Sequence, residues 1–285
     1  MHLKDLNIID THLHVWDLNK FRYPWLDNIP QLNKTYLLDD YDQATEGLNI
    51  EKMVFVQCEA EFDQFQEEAA WVTELAKIDP RLQGIVPWAP LEKEDQAQSA
   101  LEKLASNPLV KGIRRIIEYE DDPEFCLRSG FIRGVQLLED FDLSFDITIS
   151  HDQFKNTIKF VRECPNVRFI LDHLGKPDIK GQLLDPWKAD IKRMSEFPNV
   201  HCKVSHMTTK ADLENWKEDD LKPFLEHIVE CFGFDRLVFG GDWPPVELAS
   251  SYEKWVETLL SLVSEASVDE KEKLFSKNAE AFYRL

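Results

Sequence analysis

The feature that most constrains this chain is an alternation repeated eight times. Short apolar runs, rich in β-branched and aromatic residues, occur at 7–16, 51–57, 83–88, 110–117, 143–149, 167–173, 199–206 and 236–243. Runs of this kind predict strands. The stretches between them carry apolar residues at helical spacing. Residues 63–78 put Phe65, Ala69, Val72, Leu75 and Ala76 on one face, and 125–141 and 153–164 read the same way. Run starts lie roughly 24 to 44 residues apart, which leaves room for one helix and two loops each time. Strands alternating with helices argue a parallel sheet. Eight such units argue closure, since a barrel of this type takes about 250 residues in one domain. The expected architecture is α/β: a (β/α)₈ TIM barrel, one domain over residues 1–285. An open doubly wound sheet is the alternative, but neither GxGxxG nor GxxxxGK[ST] is present to cradle a phosphate.

Charge and cysteines narrow the setting. With 33 basic against 53 acidic residues the formal charge is −20, a field that repels nucleic acid and anionic membrane surfaces. No run approaches the roughly 18 apolar residues of a membrane helix. A small-molecule substrate is the expected partner, with neither nucleic acid nor membrane; a homo-oligomer stays open. The cysteines, Cys58, Cys126, Cys164, Cys202 and Cys231, are odd in number and form no CxxC, which suits reduced, mostly buried thiols. The opening Met1-His2-Leu3-Lys4-Asp5 leads into no apolar stretch of signal-peptide length, so a cytoplasmic protein is expected.

In a barrel of this class the reactive residues sit at the carboxyl ends of the strands. The first run ends in Asp10-Thr11-His12-Leu13-His14. Residues i and i+2 of a strand share a face, so His12 and His14 can converge on one point and bind a divalent ion. The sixth run ends in Asp172-His173-Leu174-Gly175; a lone strand histidine is more often a hydrogen-bonded core residue, but here an ionisable pair meets a strand-to-loop break. The eighth ends in Gly240-Gly241-Asp242-Trp243-Pro244, two glycines that permit close backbone approach before an acid. Taken alone, Asp242 could equally be a helix cap. Of Arg114 and Arg115 only one can look into the barrel; a substrate carboxylate or polarised carbonyl suits it, and an ion pair with an acid such as Glu118 or Glu120 is the plainer reading. Gln57, Asp146, Lys203 and Trp243 are further substrate-binding candidates on strand ends or walls. Residues 18–40 show little periodicity and read as a long loop over the barrel mouth.

Several motifs together resemble the amidohydrolase superfamily. They are Ile9-Asp10-Thr11-His12-Leu13-His14-Val15-Trp16, Val110-Lys111-Gly112-Ile113-Arg114, Leu171-Asp172-His173-Leu174-Gly175-Lys176-Pro177, Phe239-Gly240-Gly241-Asp242-Trp243-Pro244 and Asn278-Ala279-Glu280-Ala281-Phe282-Tyr283. The closest pattern is the amidohydrolase-related branch that includes sugar-lactone hydrolases and pyrone-dicarboxylate lactonase. The resemblance implies a hydrolase that opens a small cyclic ester, with Asp242 as general base and His12, His14 and His173 as catalytic residues. It implies a site of His12, His14, His173 and Asp242 that takes one divalent ion, zinc first, or works without a metal. It also implies a substrate-binding role for Arg114. A metal-dependent decarboxylase, an amide or phosphoester hydrolase and a non-enzymatic barrel are the other readings. Two departures stand out. The fifth run offers Asp146 where many members carry a histidine, and the fourth offers no bridging lysine, which argues against a two-metal centre. His206 stands where a small residue is expected.

Overall fold

A computed structural model describes residues 3–285; Met1 and His2, at the head of the segment read as carrying no leader, lie outside them. Each of the eight runs falls on a strand, with β2 and β3 starting one or two residues ahead of theirs: β1 (Asn7–Leu13), β2 (Asn49–Val56), β3 (Leu82–Val86), β4 (Gly112–Arg114), β5 (Ser144–Ile147), β6 (Arg168–Leu171), β7 (Val200–Val204) and β8 (Leu237–Phe239). The strands stop short of their runs at the carboxyl end. There the polar residues leave the ladder and turn toward the mouth.

Pairing follows chain order and is parallel throughout, β1-β2-β3 in one ladder and β4-β5-β6-β7-β8 in the other. Two thin seams join them. Ile85 bridges Val110 on the approach to β4, and Leu13 bridges Trp243 just after β8. The Ile85 N–H donates to Leu109 O at 2.7 Å and the Lys111 N–H to Ile85 O at 3.0 Å. On the other side the His14 N–H donates to Trp243 O and the Asp242 N–H to His12 O, both at 2.9 Å. The seams are thin because β4 and β8 are only three residues each. The result is the closed eight-stranded parallel barrel that the alternation predicts.

The outer layer is built of α1 (Leu38–Ala44), α2 (Phe65–Leu75), α3 (Glu94–Ala105), α4 (Ser129–Gln136), α5 (Phe154–Glu163), α6 (Trp187–Ser195), α7 (Met207–Lys210), α8 (Glu218–Phe232), α9 (Tyr252–Leu262), α10 (Val268–Glu272) and α11 (Asn278–Tyr283). The expected face of α2 holds, with Ala69 and Val72 buried and Phe65 and Leu75 packed against the core. The helix expected at 125–141 is broken instead. Arg128 takes an extended backbone, and its guanidinium reaches back to Asp122 at 2.9 Å, so the regular helix starts only at Ser129. Among the described residues no helix is long and apolar enough to cross a membrane.

Two apolar clusters divide the interior. The larger fills the space between strands and helices. The smaller holds Ile9, Val54, Val56, Val86, Ile170 and Val238 from five strands, plugged by Ala279, Phe282 and Tyr283 of α11. Inward side chains of a small barrel pack into layers. Above this apolar layer lies a polar one, and above that the site.

Candidate active site

The seam between β1 and β8 is clamped by Asp10. Its carboxylate accepts from the backbone N–H of His12 at 2.9 Å and of Gly241 at 2.8 Å, and from the hydroxyls of Tyr41 and Tyr252, each at 2.9 Å. Burial raises its pKa against these hydrogen bonds. Asp10 thus fixes the backbone that carries the two histidines and points at no substrate. The glycines read from the sequence are required here. A Cβ on Gly241 would stand 2.2 Å from Tyr252 Cε2 and 2.5 Å from Asp10 Oδ2, and one on Gly240 would stand 2.9 Å from His12 Cβ. Gly241→Ala is therefore expected to destabilise by about 1–3 kcal/mol, the usual cost of forcing atoms into a packed interior. Thermal unfolding checks this; an unchanged melting temperature would remove the clamp from the argument.

His12 and His14 converge as the two-residue strand period requires, ring centroids 4.8 Å apart. After β6 the backbone is left-handed at four successive residues, His173 (φ 57°), Leu174 (56°), Gly175 (67°) and Lys176 (50°). This turn brings the His173 ring to 4.5 Å from that of His12. Asp242, also left-handed at φ 54°, presents Oδ1 at 3.8 Å from His12 Nε2 and 3.7 Å from His14 Nε2. One ligand atom each from His12, His173 and Asp242 lies within 4.8 Å of the others.

Hydrogen bonds behind the cluster orient it. His14 Nδ1 faces the Val56 carbonyl at 2.7 Å, and a carbonyl only accepts, so Nδ1 carries the proton and Nε2 keeps its lone pair for the cluster. His173 Nδ1 is engaged by the Ser205 hydroxyl at 2.8 Å, which leaves its Nε2 free. Burial, then Lys203, holds His12 down to about 4. Burial, then neighbouring His12, also lowers His14 and His173 well below the ordinary range. All three rings are neutral at pH 7. Burial alone would raise the Asp242 carboxyl, but the facing His206, then His12 and His14, outweigh it and hold the group at about 2. An ionised carboxylate thus faces three neutral imidazoles.

Arg114 is the inward member of its pair. Nη1 lies 3.2 Å from His12 Nε2 and 3.7 Å from Asp172 Oδ2, and Nη2 donates to the Gln57 carbonyl. Arg115 faces outward and pairs with Glu120 and Glu92. The plainer expectation of an ion pair with a nearby acid holds for Arg115, with Glu120, and Arg114 too has an acid beside it, in Asp172.

Four expected substrate-side residues lie elsewhere. Lys203 and Asp146 are fully buried beneath His12. Lys203 Nζ contacts Asp146 Oδ2 at 2.8 Å, Asp172 Oδ1 at 2.9 Å and His12 Nδ1 at 3.1 Å, while Tyr283 OH donates to Asp146 Oδ2 at 2.9 Å. They form the polar layer between the apolar plug and the site. Gln57 supplies its backbone carbonyl to Arg114, while its amide nitrogen turns away to Glu59 at 2.6 Å. Trp243 is wholly buried, packed edge-on against Tyr36 and Tyr41.

His14, His173 and Asp242, with Arg114, floor a pocket of about 300 Å³, and His12 lies fully buried behind them. The 18–40 loop does lie over the mouth: Trp25, Ile29 and Leu32 line one wall, with Leu213 and Leu248 adding apolar surface. Glu59, Glu118, Lys176, Lys210 and Thr148 supply polar groups, and Lys176 pairs with Glu118. In the sequence Glu118 stands out only as an ion-pair candidate and Lys176 only as part of the sixth-run motif, while Glu59 and Lys210, the last residue of α7, draw no notice. Asp172 was legible only as the partner of His173 in the motif; its role as the acceptor shared by Lys203 and Thr148 (2.7 Å) is a long-range contact.

Comparison with known proteins agrees with this geometry. A family model described as amidohydrolase matches residues 9–285. The chain is 29% identical over 281 residues to an L-fucono-1,5-lactonase of Burkholderia multivorans, covering 91% of this chain and 92% of that one. It is 24% identical to an L-rhamnono-gamma-lactonase of Scheffersomyces stipitis, covering 98% of each. The crystal structure of an amidohydrolase from Burkholderia multivorans with bound zinc superposes with a TM-score of 0.88 at 27% identity, covering 98% of this chain and 99% of that one. A match that runs from β1, where the histidine pair begins, through Asp242 to the α11 plug takes in every part of the site, and the chain is accordingly a hydrolase belonging to the amidohydrolase family.

Proposed function

We propose that the chain hydrolyses the lactone of a small sugar acid, with six-carbon deoxy-aldonolactones of the fucono and rhamnono type first among candidates. One observation carries the reading: an ionised Asp242 beside neutral His14 and His173 and Arg114 on the floor of a pocket of about 300 Å³, backed by neutral, buried His12. The names of the lactonase relatives support the bond type. The walls support the substrate class, since Trp25, Ile29 and Leu248 suit a methyl-bearing edge and Thr148, Glu118 and Lys210 suit hydroxyls. Water is the nucleophile in this reading. The nearest thiol, Cys58, is pushed well above its ordinary pKa by burial and then Glu68, so it is no thiolate.

In the proposed cycle the lactone carbonyl sits against His12, His14, His173 and Arg114. Asp242 takes a proton from water as the oxygen adds to the carbonyl carbon. Arg114 and the ring edges stabilise the oxyanion. The ring C–O bond then breaks and the Asp242 proton passes to the departing alkoxide, which leaves the open hydroxy acid.

The donor set fits one divalent ion. It offers nitrogen lone pairs on His14 and His173 whose other ring atoms are tied to Val56 and Ser205, as metal-binding imidazoles require, and a carboxylate oxygen within reach. His12, His14, His173 and Asp242 would hold it, and it would act as a Lewis acid on the carbonyl. Zinc suits mixed nitrogen and oxygen donors.

A panel of aldono-1,4- and aldono-1,5-lactones read with a pH indicator tests the proposal, because each turnover releases a proton. Deoxy-aldonolactones are expected to turn over fastest. Chelation is expected to lower the rate at least about 10-fold, in line with the weight of a Lewis acid at a developing oxyanion, with recovery on added Zn²⁺. No turnover of any lactone by zinc-loaded protein would sink the reading; a rate indifferent to chelator would leave polarisation to the imidazoles and Arg114.

A further inference from the structure

Two side chains at the end of β7 face the cluster from behind. Ser205 holds His173, as described, and His206 meets Asp242 through Nδ1 and Oδ2. An ionised carboxylate only accepts, so His206 Nδ1 carries the proton and donates it. Among the described residues this is the one hydrogen bond made to the Asp242 side chain; its other oxygen faces His14 and His12 at 3.7 and 3.8 Å. The backbone of Asp242 is pinned by its N–H to His12 O at 2.9 Å, but among the described residues no other hydrogen bond sets the rotation of the carboxylate.

His206 sits at a cost. Its φ is 60°, a left-handed conformation that costs a non-glycine residue about 1–3 kcal/mol and that glycine adopts freely. The ring is nonetheless fixed, packed on His173 with centroids 4.7 Å apart, and the Thr209 hydroxyl donates to its carbonyl at 2.9 Å. A strained residue whose ring, among the described residues, makes its one hydrogen bond to the reacting acid points to a role in that contact.

We infer that His206 is the positioning residue for Asp242. Its Nδ1–H captures Oδ2, so that Oδ1 stays aimed at the space between His12 and His14 where water must attack. The inference rests on Asp242 being the general base. Such a residue acts on kcat and leaves substrate affinity alone, and misplacement of a reacting group by about 1 Å can cost 10²-fold.

Steady-state kinetics on the best lactone, with thermal melts to show that each variant is folded, provide the test. His206→Ala is expected to lower kcat at least about 10-fold with KM within about 2-fold. His206→Asn, whose amide N–H can stand near the Nδ1 position, is expected to recover most of kcat. His206→Gln, which reaches toward the Nε2 position, is expected not to. A folded His206→Ala with kcat within about 3-fold of the parent, a loss confined to KM, or Asn and Gln variants of equal activity would overturn the inference. If Asp242→Asn is inactive while His206→Ala is active, the positioning role alone falls; if Asp242→Asn stays active, the general-base reading falls and the positioning role with it.

Discussion

Asp242→Asn is expected to lower kcat by about 10² to 10⁴, the range that a well-placed general base supplies. Asparagine keeps the shape of the side chain and an oxygen for the His206 Nδ1–H, but it cannot take a proton from water. The group removed is already in its working form, since the facing histidines hold its pKa at about 2. The stability change has a definite sign. A carboxyl whose folded pKa lies below its unfolded value near 3.8 contributes stability that is present above that value and lost as pH falls toward 2. For this buried group the contribution is of order 2 kcal/mol at neutral pH. The Asn variant should therefore melt slightly lower than the parent at pH 7 and no lower at pH 2. Initial rates on a responsive lactone, with melts at both pH values, check both halves. A kcat loss under about 10-fold would end the general-base assignment.

The strand framework was readable because each strand is a run of buried apolar residues between aperiodic loops, and because eight of them leave few architectures. The upper tier of the site was readable for the same reason. His12 and His14 obey the strand period, and Asp242 follows two glycines at a strand end. Depth along the barrel axis was not readable. Strand alternation turns Lys203 and Asp146 inward, but the register that pairs Arg114 with Asp146 and Lys203 with Val238 sets how far down they lie. It places them one layer below the histidines, where they bind each other and Asp172. Trp243, expected among the substrate-binding residues, packs into the core against Tyr36 and Tyr41, after a left-handed turn at Asp242 that no sequence pattern announces. Glu118 and Lys176 enter the pocket from loops and Lys210 from the end of the short α7, segments whose paths depend on tertiary packing, and no periodic pattern announces them.

The buried layer beneath the site carries the second large expectation: Lys203→Met should cost about 3–5 kcal/mol, the usual penalty for stripping one partner from a buried ion pair. A chain of this size should then melt roughly 10 °C lower. Lys203 is fully buried and its ammonium meets Asp146, Asp172 and His12. Burial pushes both carboxyls up. Lys203 is the leading opposing influence on each, which leaves Asp172 well below its ordinary range and Asp146 above it. Without the lysine both carboxyls move up. The folded variant then holds protons that the unfolded chain releases near pH 3.8, so its stability is greatest at low pH and falls as pH rises through the raised folded values. The gap to the parent should be wider at pH 8 than at pH 5. Adding Asp146→Asn to Lys203→Met should restore part of the loss, because it removes one of the two carboxylates left without a counter-charge. Denaturant melts of the three proteins at both pH values decide the matter. A gap that narrows toward pH 8, or a double variant weaker than the single, would show that Lys203 acts through its packed methylenes and not as the charge that lets two acids sit under the active site.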